Sequence, residues 1–150
     1  FFGLIGMIYG RTHTRDITEM GGLMKIMPFL GVAFFIAGFA GLGLPSLSGF
    51  VAEVTLFIGA FENTSIIART CVVISVLSIT TTAVYVLRAA NRMLNGPLPA
   101  EYAELTDAST MERIPVLILI VCLFGMGLMP GWIAEIIDQS IQPIFNNLMR

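Results

Sequence analysis

A chain of 150 residues in which 56% of side chains are hydrophobic, 12% carry a charge and the mean hydropathy is +0.87 has the composition of a membrane protein. A net charge of −2 without any Lys/Arg block leaves nothing to hold a phosphate backbone and argues against nucleic acid as a partner. Cys71 and Cys122 stand in separate apolar runs with no CxxC or Cys/His cluster, so they read as packing residues rather than as a disulfide framework or a metal site.

The first element, "FFGLIGMIYG" at residues 1–10, reads as the tail of a longer transmembrane helix. Its apolar part is about half of the roughly 20 residues a crossing needs, and it lacks the basic flank and cleavage site of a signal peptide. The expectation is one all-α domain, residues 1–150, forming a piece of a larger polytopic membrane chain. The charged loop 11–25 follows, with "RTHTRD". His13 there has no second ligand nearby in sequence and reads, like Arg15 and Asp16, as a solvated or subunit-facing loop residue.

The run 26–61 is the informative one. As one continuous helix it would measure about 54 Å, against a hydrocarbon core of roughly 30 Å. No charged turn divides it into two crossings. A single crossing built of two half-helices fits better, broken near Pro45 among Gly41, Gly43, Ser46, Ser48 and Gly49. Unwound backbone at membrane depth needs protein or a water-filled cavity to satisfy it, so this break predicts a polar interior.

Glu53 lies in the second half of that run, and no basic residue falls within fifteen positions of it on either side. By helical rise it sits about 12 Å from Phe61, near the middle of the core. An ionisable group at that depth costs about 2.5–3.5 kcal/mol on insertion scales and usually marks an ion or proton route, a structural hydrogen-bonding acid being the competing role. A carboxyl group poised between desolvation, which favours its neutral form, and hydration, which favours its charged form, can take up and release protons.

A short turn, "ENTS" at 62–65, leads to the next span, 66–88. Cys71, Ser75, Ser78, Thr82 and Tyr85 recur there at steps of three and four, on one helical face. Ser75, Ser78, Thr82 and Tyr85 are candidates for lining a proton path beside Glu53; packing and bonds to their own helix are the competing roles. The polar loop 88–113 carries the turn signal "NGPLP", and Ser109 and Glu112 have capping-box spacing before the last span, 114–133, with Pro115 blurring its start. Beyond it, Ile133, Ile136, Ile137, Ile141, Ile144 and Phe145 repeat at the spacing of an interfacial amphipathic helix, with an interruption expected near Pro143.

Arg11, Arg15, Lys25, Arg88, Arg92 and Arg113 fall in the first and third loops, against Arg69 and Arg150 on the other side. Loops 11–25 and 88–113 are therefore expected to be cytoplasmic, with the C-terminus external and Trp132 at the outer interface.

Two stretches, "GRTHTRDITEMGGL" (Gly10 to Leu23) and "GLGLPSLSGFVAEVTLFIGAF" (Gly41 to Phe61), resemble the proton-pumping, antiporter-like subunits of NADH:quinone oxidoreductase, respiratory complex I, of the type called M in bacteria and 4 in mitochondria. The resemblance covers the whole chain, as the last third of such a subunit, and implies the end of helix 11 followed by helices 12, 13 and 14. It implies that Glu53 is the proton-transfer carboxylate of broken helix 12, where related pumping subunits and sodium/proton antiporters carry lysine. Ser46 and Ala52 depart from the pattern, standing where the family commonly has glycine. The family's other key lysines and glutamate fall on helices outside these 150 residues.

The resemblance also implies a bacterial inner-membrane location, neighbouring membrane subunits, lipid and protons as partners, and no cofactor or metal on this chain. Electron transfer from NADH to quinone would occur elsewhere in the complex. The competing functions are a subunit of a multisubunit sodium/proton antiporter or membrane-bound hydrogenase, and a structural membrane anchor of a redox complex.

Overall fold

The computed structural model describes residues 1–62 and 64–148, with side chains through Ile144; Asn63 of the short turn, the Phe145 side chain and Arg150 lie outside that description. Helices α1 (Phe2–Thr12), α2 (Leu23–Ile26), α3 (Pro28–Gly41), α4 (Ser48–Phe61), α5 (Ile66–Leu94), α6 (Thr110–Leu128) and α7 (Gly131–Leu148) follow one another, with a 3₁₀ turn at Ala100–Tyr102. Among the described residues there is no strand.

α5 and α6 are long and apolar enough to cross a membrane, and only 6% of the most apolar stretch of each is buried. Leu77, Leu119 and Val121 point outward, each more than 60% exposed. A soluble protein hides such helices in its core; these turn their apolar side chains out, as helices in lipid or against membrane neighbours do. α3 and α4 contain 14 residues each, about 21 Å apiece, so neither half crosses alone.

The spans depart from the sequence boundaries at three places. α5 does not stop at 88 but runs to Leu94, because Ala90, Met93 and Leu94 are 2%, 6% and 1% exposed and bury the extra turns beneath the loops. It ends only at Asn95–Gly96–Pro97, where Gly96 adopts φ 103° and proline forbids continuation. α6 starts at Thr110, ahead of the apolar run at 114, where Ser109 and Glu112 complete the capping box their spacing predicts, and it ends at Leu128, ahead of Pro130, instead of at 133. α7 passes through Pro143 without the interruption expected there.

The packed core lies at the end where α1, α3, α5 and α6 meet the two longer loops. Leu23, Met27, Leu30 and Leu94 are its least exposed large side chains. Those two loops, 11–25 and 88–113, interlock. The Gly22 N–H donates to the Asn95 carbonyl at 3.1 Å, and Gly22 holds φ 64°, which glycine adopts without steric cost. A methyl group at Gly21 would meet the Pro97 carbonyl oxygen, and one at Gly22 would press on the backbone of Gly96 and Leu98. The pair in "MGGL" is thus small because another loop's backbone rests on it. Gly21→Ala is expected to destabilise the fold by about 1–3 kcal/mol, the usual range for overpacking against a rigid partner. The thermal midpoint of the solubilised protein measures it, and an unchanged midpoint would mean that the loops separate freely.

At the same end Arg11, in the last turn of α1, reaches across to α6. Its guanidinium donates to the Glu112 carboxylate at 2.6 Å, to the Thr106 carbonyl at 2.8 Å and to the Met7 carbonyl at 3.0 Å. Asp107 caps α3 from the far side of the sequence, accepting from the N–H groups of Phe29 at 2.8 Å and Leu30 at 3.3 Å. Arg113 lies 3.7 Å from Asp107 and 5.1 Å over the Phe29 ring.

Candidate functional site

The break that the glycines and proline foretell is built in two parts. α3 ends in a Schellman cap. Gly43, at φ 64°, donates to the Ala40 carbonyl at 3.3 Å, and Leu44 donates back to Phe39 at 3.2 Å. Gly43 therefore stops the helix before the chain reaches Pro45, which follows in the turn and keeps α3 from resuming. α4 starts after Leu47, whose backbone is extended at φ −110°, ψ 154°. Ser46 between them takes φ 77°, a left-handed conformation that disfavours any side chain. A glycine would take this conformation without the steric cost. Ser46→Gly is expected to stabilise the chain by about 0.5–1 kcal/mol, the strain removed less the added freedom of the unfolded state. A rise in thermal midpoint checks it; a fall would show that the serine side chain contributes a contact of its own.

Glu53 stands on the second turn of α4 and is half-buried. Its carboxyl group folds back against the break, filling the place that a Cβ of Gly43 would occupy. Gly43 has two reasons to lack a side chain: its backbone is left-handed, and the acid occupies the space beside it. Gly49, in the first turn of α4, similarly lies against the Ala40 carbonyl, so the two half-helices approach backbone to backbone.

From this seat Glu53 opens into a cleft of about 350 Å³ between α4 and α5, lined also by Ala52, Leu56, Phe57, Ser75, Ser78 and Ile79. Ser75 and Ser78 thus share a cavity wall with the acid. The Ser78 hydroxyl donates to the Ser75 carbonyl at 2.7 Å, leaving its oxygen lone pairs available as acceptors. Thr82 and Tyr85 are not brought to this cleft. The Thr82 hydroxyl bonds the Ser78 carbonyl at 3.3 Å, and Tyr85 lines a separate apolar groove of about 570 Å³ together with residues of α1, including Phe2 and Tyr9. The helical stripe splits because α5 meets α4 at one level and faces α1 at another. Cys71 and Cys122 are free thiols, but they are exposed rather than buried as packing residues within this chain, because the apolar faces of α5 and α6 turn outward.

His13 ends α1 in a left-handed conformation, φ 55°, its N–H donating to the Tyr9 carbonyl at 2.8 Å. Arg15 stacks 4.7 Å from the Tyr9 ring centroid. Asp16 accepts from the Thr18 hydroxyl at 2.7 Å and amide at 2.8 Å, bonds that hold its carboxyl below the ordinary carboxylate range. These loop residues close on one another, and no group of three or more His, Cys, Asp or Glu able to hold a metal forms among the described residues.

Sequence reasoning missed the groups that fix the site from outside. Asp107 and Arg11 act on partners about 80 to 100 residues away, beyond the reach of any local pattern. Gly127 of α6 lies against the backbone of Ser46 and Leu47. Two glycines, Gly125 and Gly127, stand near the end of that apolar helix, and nothing in the sequence signalled that one of them makes this contact.

Residues 1–80 match the family described as NADH:quinone oxidoreductase/Mrp antiporter, transmembrane. The chain is 35% identical over 145 residues to the NAD(P)H-quinone oxidoreductase chain 4 2 of a Synechococcus strain, covering 93% of this chain and 27% of that protein. It is 32% identical over 142 residues to the NADH-quinone oxidoreductase subunit M of Rickettsia prowazekii, covering 94% of this chain and 28% of that one. Among solved structures it resembles a chain of respiratory complex I from Thermus thermophilus with bound NADH, with a TM-score of 0.78 and 29% identity over 86% of this chain and 26% of that one. The chain spans just over a quarter of the length of the curated relatives it matches.

Proposed function

The chain belongs to the transmembrane NADH:quinone oxidoreductase/Mrp antiporter family and is an integral membrane protein; from that premise we propose that it forms part of a proton-translocating membrane subunit of NADH:quinone oxidoreductase. Its relatives carry the names of subunits of that enzyme, and the solved structure it resembles is the respiratory complex. The observation that carries the reading is the carboxyl of Glu53, placed at a helix discontinuity against Gly43 and opening into a cleft with Ser75 and Ser78.

A proton carrier inside a membrane needs a group that changes charge, water to exchange with, and a surrounding that keeps both charge states accessible. Glu53 supplies the first. The open cleft between α4 and α5 supplies room for several waters, each with about 30 Å³ of liquid volume. The break supplies backbone dipoles at membrane depth, where an unbroken helix presents only apolar surface. Ser75 and Ser78 extend the polar wall away from the acid along α5.

In this reading no redox cofactor resides on this chain, and NADH oxidation drives the proton movement from elsewhere in a multisubunit assembly. Loops 11–25 and 88–113 face the cytoplasm of a bacterial cell and the C-terminus lies outside. Basic residues concentrate in those two loops, and the loops meet at one end of the bundle.

The test is NADH-driven acidification or alkalinisation of vesicles that hold the complete complex. Loss of proton movement in Glu53→Gln with retained assembly supports the reading. Sodium-dependent flux without NADH would instead make this an antiporter subunit, and unaltered proton movement in the variant would reduce the chain to a membrane anchor.

A further inference from the structure

The turn between α3 and α4 is gripped from a third direction. Gly127 stands one residue before the end of α6, and a methyl group there would run into the Ser46 carbonyl group and the Leu47 carbonyl carbon. Backbone cannot swing away as the tip of a flexible side chain does, so α6 and the turn are held at a fixed separation. Leu47, 5% exposed, is the one buried residue between 42 and 61. The turn is therefore fixed against the bundle at this point through its one buried side chain, while α4, which packs on α5 and α6, buries no residue of its own.

The contacts form a series. Gly127 bears on Ser46 and Leu47; the turn they belong to joins Gly43 to Gly49; Gly49 lies against Ala40 and, at 3.6 Å from the place of its Cβ, the Gly43 α-carbon; and Gly43 seats the Glu53 carboxyl. Each link is glycine against backbone or carboxyl, which leaves little slack.

We propose that Gly127 is a positioning residue for the proton-exchanging carboxyl of Glu53: the close approach of the α6 backbone sets where the turn lies, and so how the acid faces Gly43 and the cleft. The proposal rests on the reading of Glu53 as a proton carrier. The side chains that line the cleft with Glu53 are neutral, from α4 and α5 alike, the α3 end contributes glycine, and α6 meets the turn through glycine. No neighbouring charge in that lining would mask a displacement.

The experiment is carried out on the complete complex in vesicles, with proton translocation recorded per assembled complex and as a function of pH. Gly127→Ala moves the turn by a few tenths of an ångström or more. Because misplacement by about 1 Å costs about a hundredfold in a positioned reaction, a loss of about tenfold is expected, with a displaced pH profile. Gly125→Ala, two residues earlier on α6 and with no atom within 4 Å of its added methyl, is expected to behave as the parent chain. Adding Ser46→Gly to Gly127→Ala frees the turn to yield and is expected to restore part of the rate.

An assembled Gly127→Ala complex with the parental rate and pH profile overturns the proposal, as does one whose only change is a smaller amount of complex. Should Gly127→Ala fail to assemble, Leu47→Val loosens the same turn more gently, and a parental profile in that variant overturns the proposal too. Glu53→Gln measured alongside separates the two claims. If it pumps normally the reading of Glu53 fails, whereas if it is inactive and Gly127→Ala is normal only the positioning role fails.

Discussion

Glu53→Gln is expected to lower proton translocation about a hundredfold, while the amount of assembled complex and the oxidation of NADH by an artificial electron acceptor stay at parental levels. A positioned proton-transferring side chain contributes typically 10²–10⁴-fold to its step. The amide has nearly the shape of the acid, so the seat against Gly43 is kept and the comparison isolates the exchangeable proton. Folding gives no reason for a large change either. Glu53 is half-buried and forms no salt bridge among the described residues, so the amide leaves no charge unpaired. Glu53→Asp is the informative companion: it keeps the acid but withdraws it from Gly43 toward the α4 backbone. An intermediate rate is expected, because the proton remains exchangeable from a displaced position. Parental pumping in an assembled Glu53→Gln complex would remove the foundation of the proposed function.

Asp107→Ala is expected to cost about 2–4 kcal/mol of stability, the largest structural effect of any single substitution considered. α3 begins at Pro28 without a side-chain cap from its own N-cap residue, Met27, so its first-turn N–H groups depend on Asp107. A lost N-cap costs about 0.5–2 kcal/mol, and a hydrogen bond to a charged group contributes about 1.5–3 kcal/mol. The carboxylate also faces the positive end of the helix dipole and lies close to Arg113. Alanine would strand two backbone donors at a place where the Asp107 side chain is only 14% exposed, while Arg113 keeps its bond to the Ala108 carbonyl. Asn retains one acceptor and should lose about half as much. Thermal unfolding of the solubilised protein, monitored beside the amount of complex in membranes, decides it, and a midpoint within error of the parent for Asp107→Ala would show that α3 is held by packing alone.

These two residues act at opposite ends of the same half-helix. Asp107 fixes the N-terminus of α3 and Glu53 lies against its Schellman cap. A stability loss at the first end should therefore be accompanied by looser placement of the acid at the other. The reverse is not expected, since the Glu53 carboxyl occupies a space at Gly43 rather than completing a cap.

The sequence by itself determined the helical membrane class, the discontinuity and the position of the acid. Each follows from local chemistry: apolar runs of spanning length, glycine and proline in one short interval, and a single carboxylate without a basic neighbour. Ser109 and Glu112 likewise announced a capping box, because its partners are three residues apart. Only the tertiary structure decided that Ser75 and Ser78 share a cleft with Glu53 while Tyr85 turns to another groove, for a helical face is defined along its whole length and its neighbours change with depth. The same holds for α5, whose last turns exist because two loops bury Ala90, Met93 and Leu94. It holds most clearly for Asp107 with α3 and Gly127 with the turn, since contacts between distant segments depend on how helices pack, and packing is a property of shapes meeting in space that no local periodicity encodes.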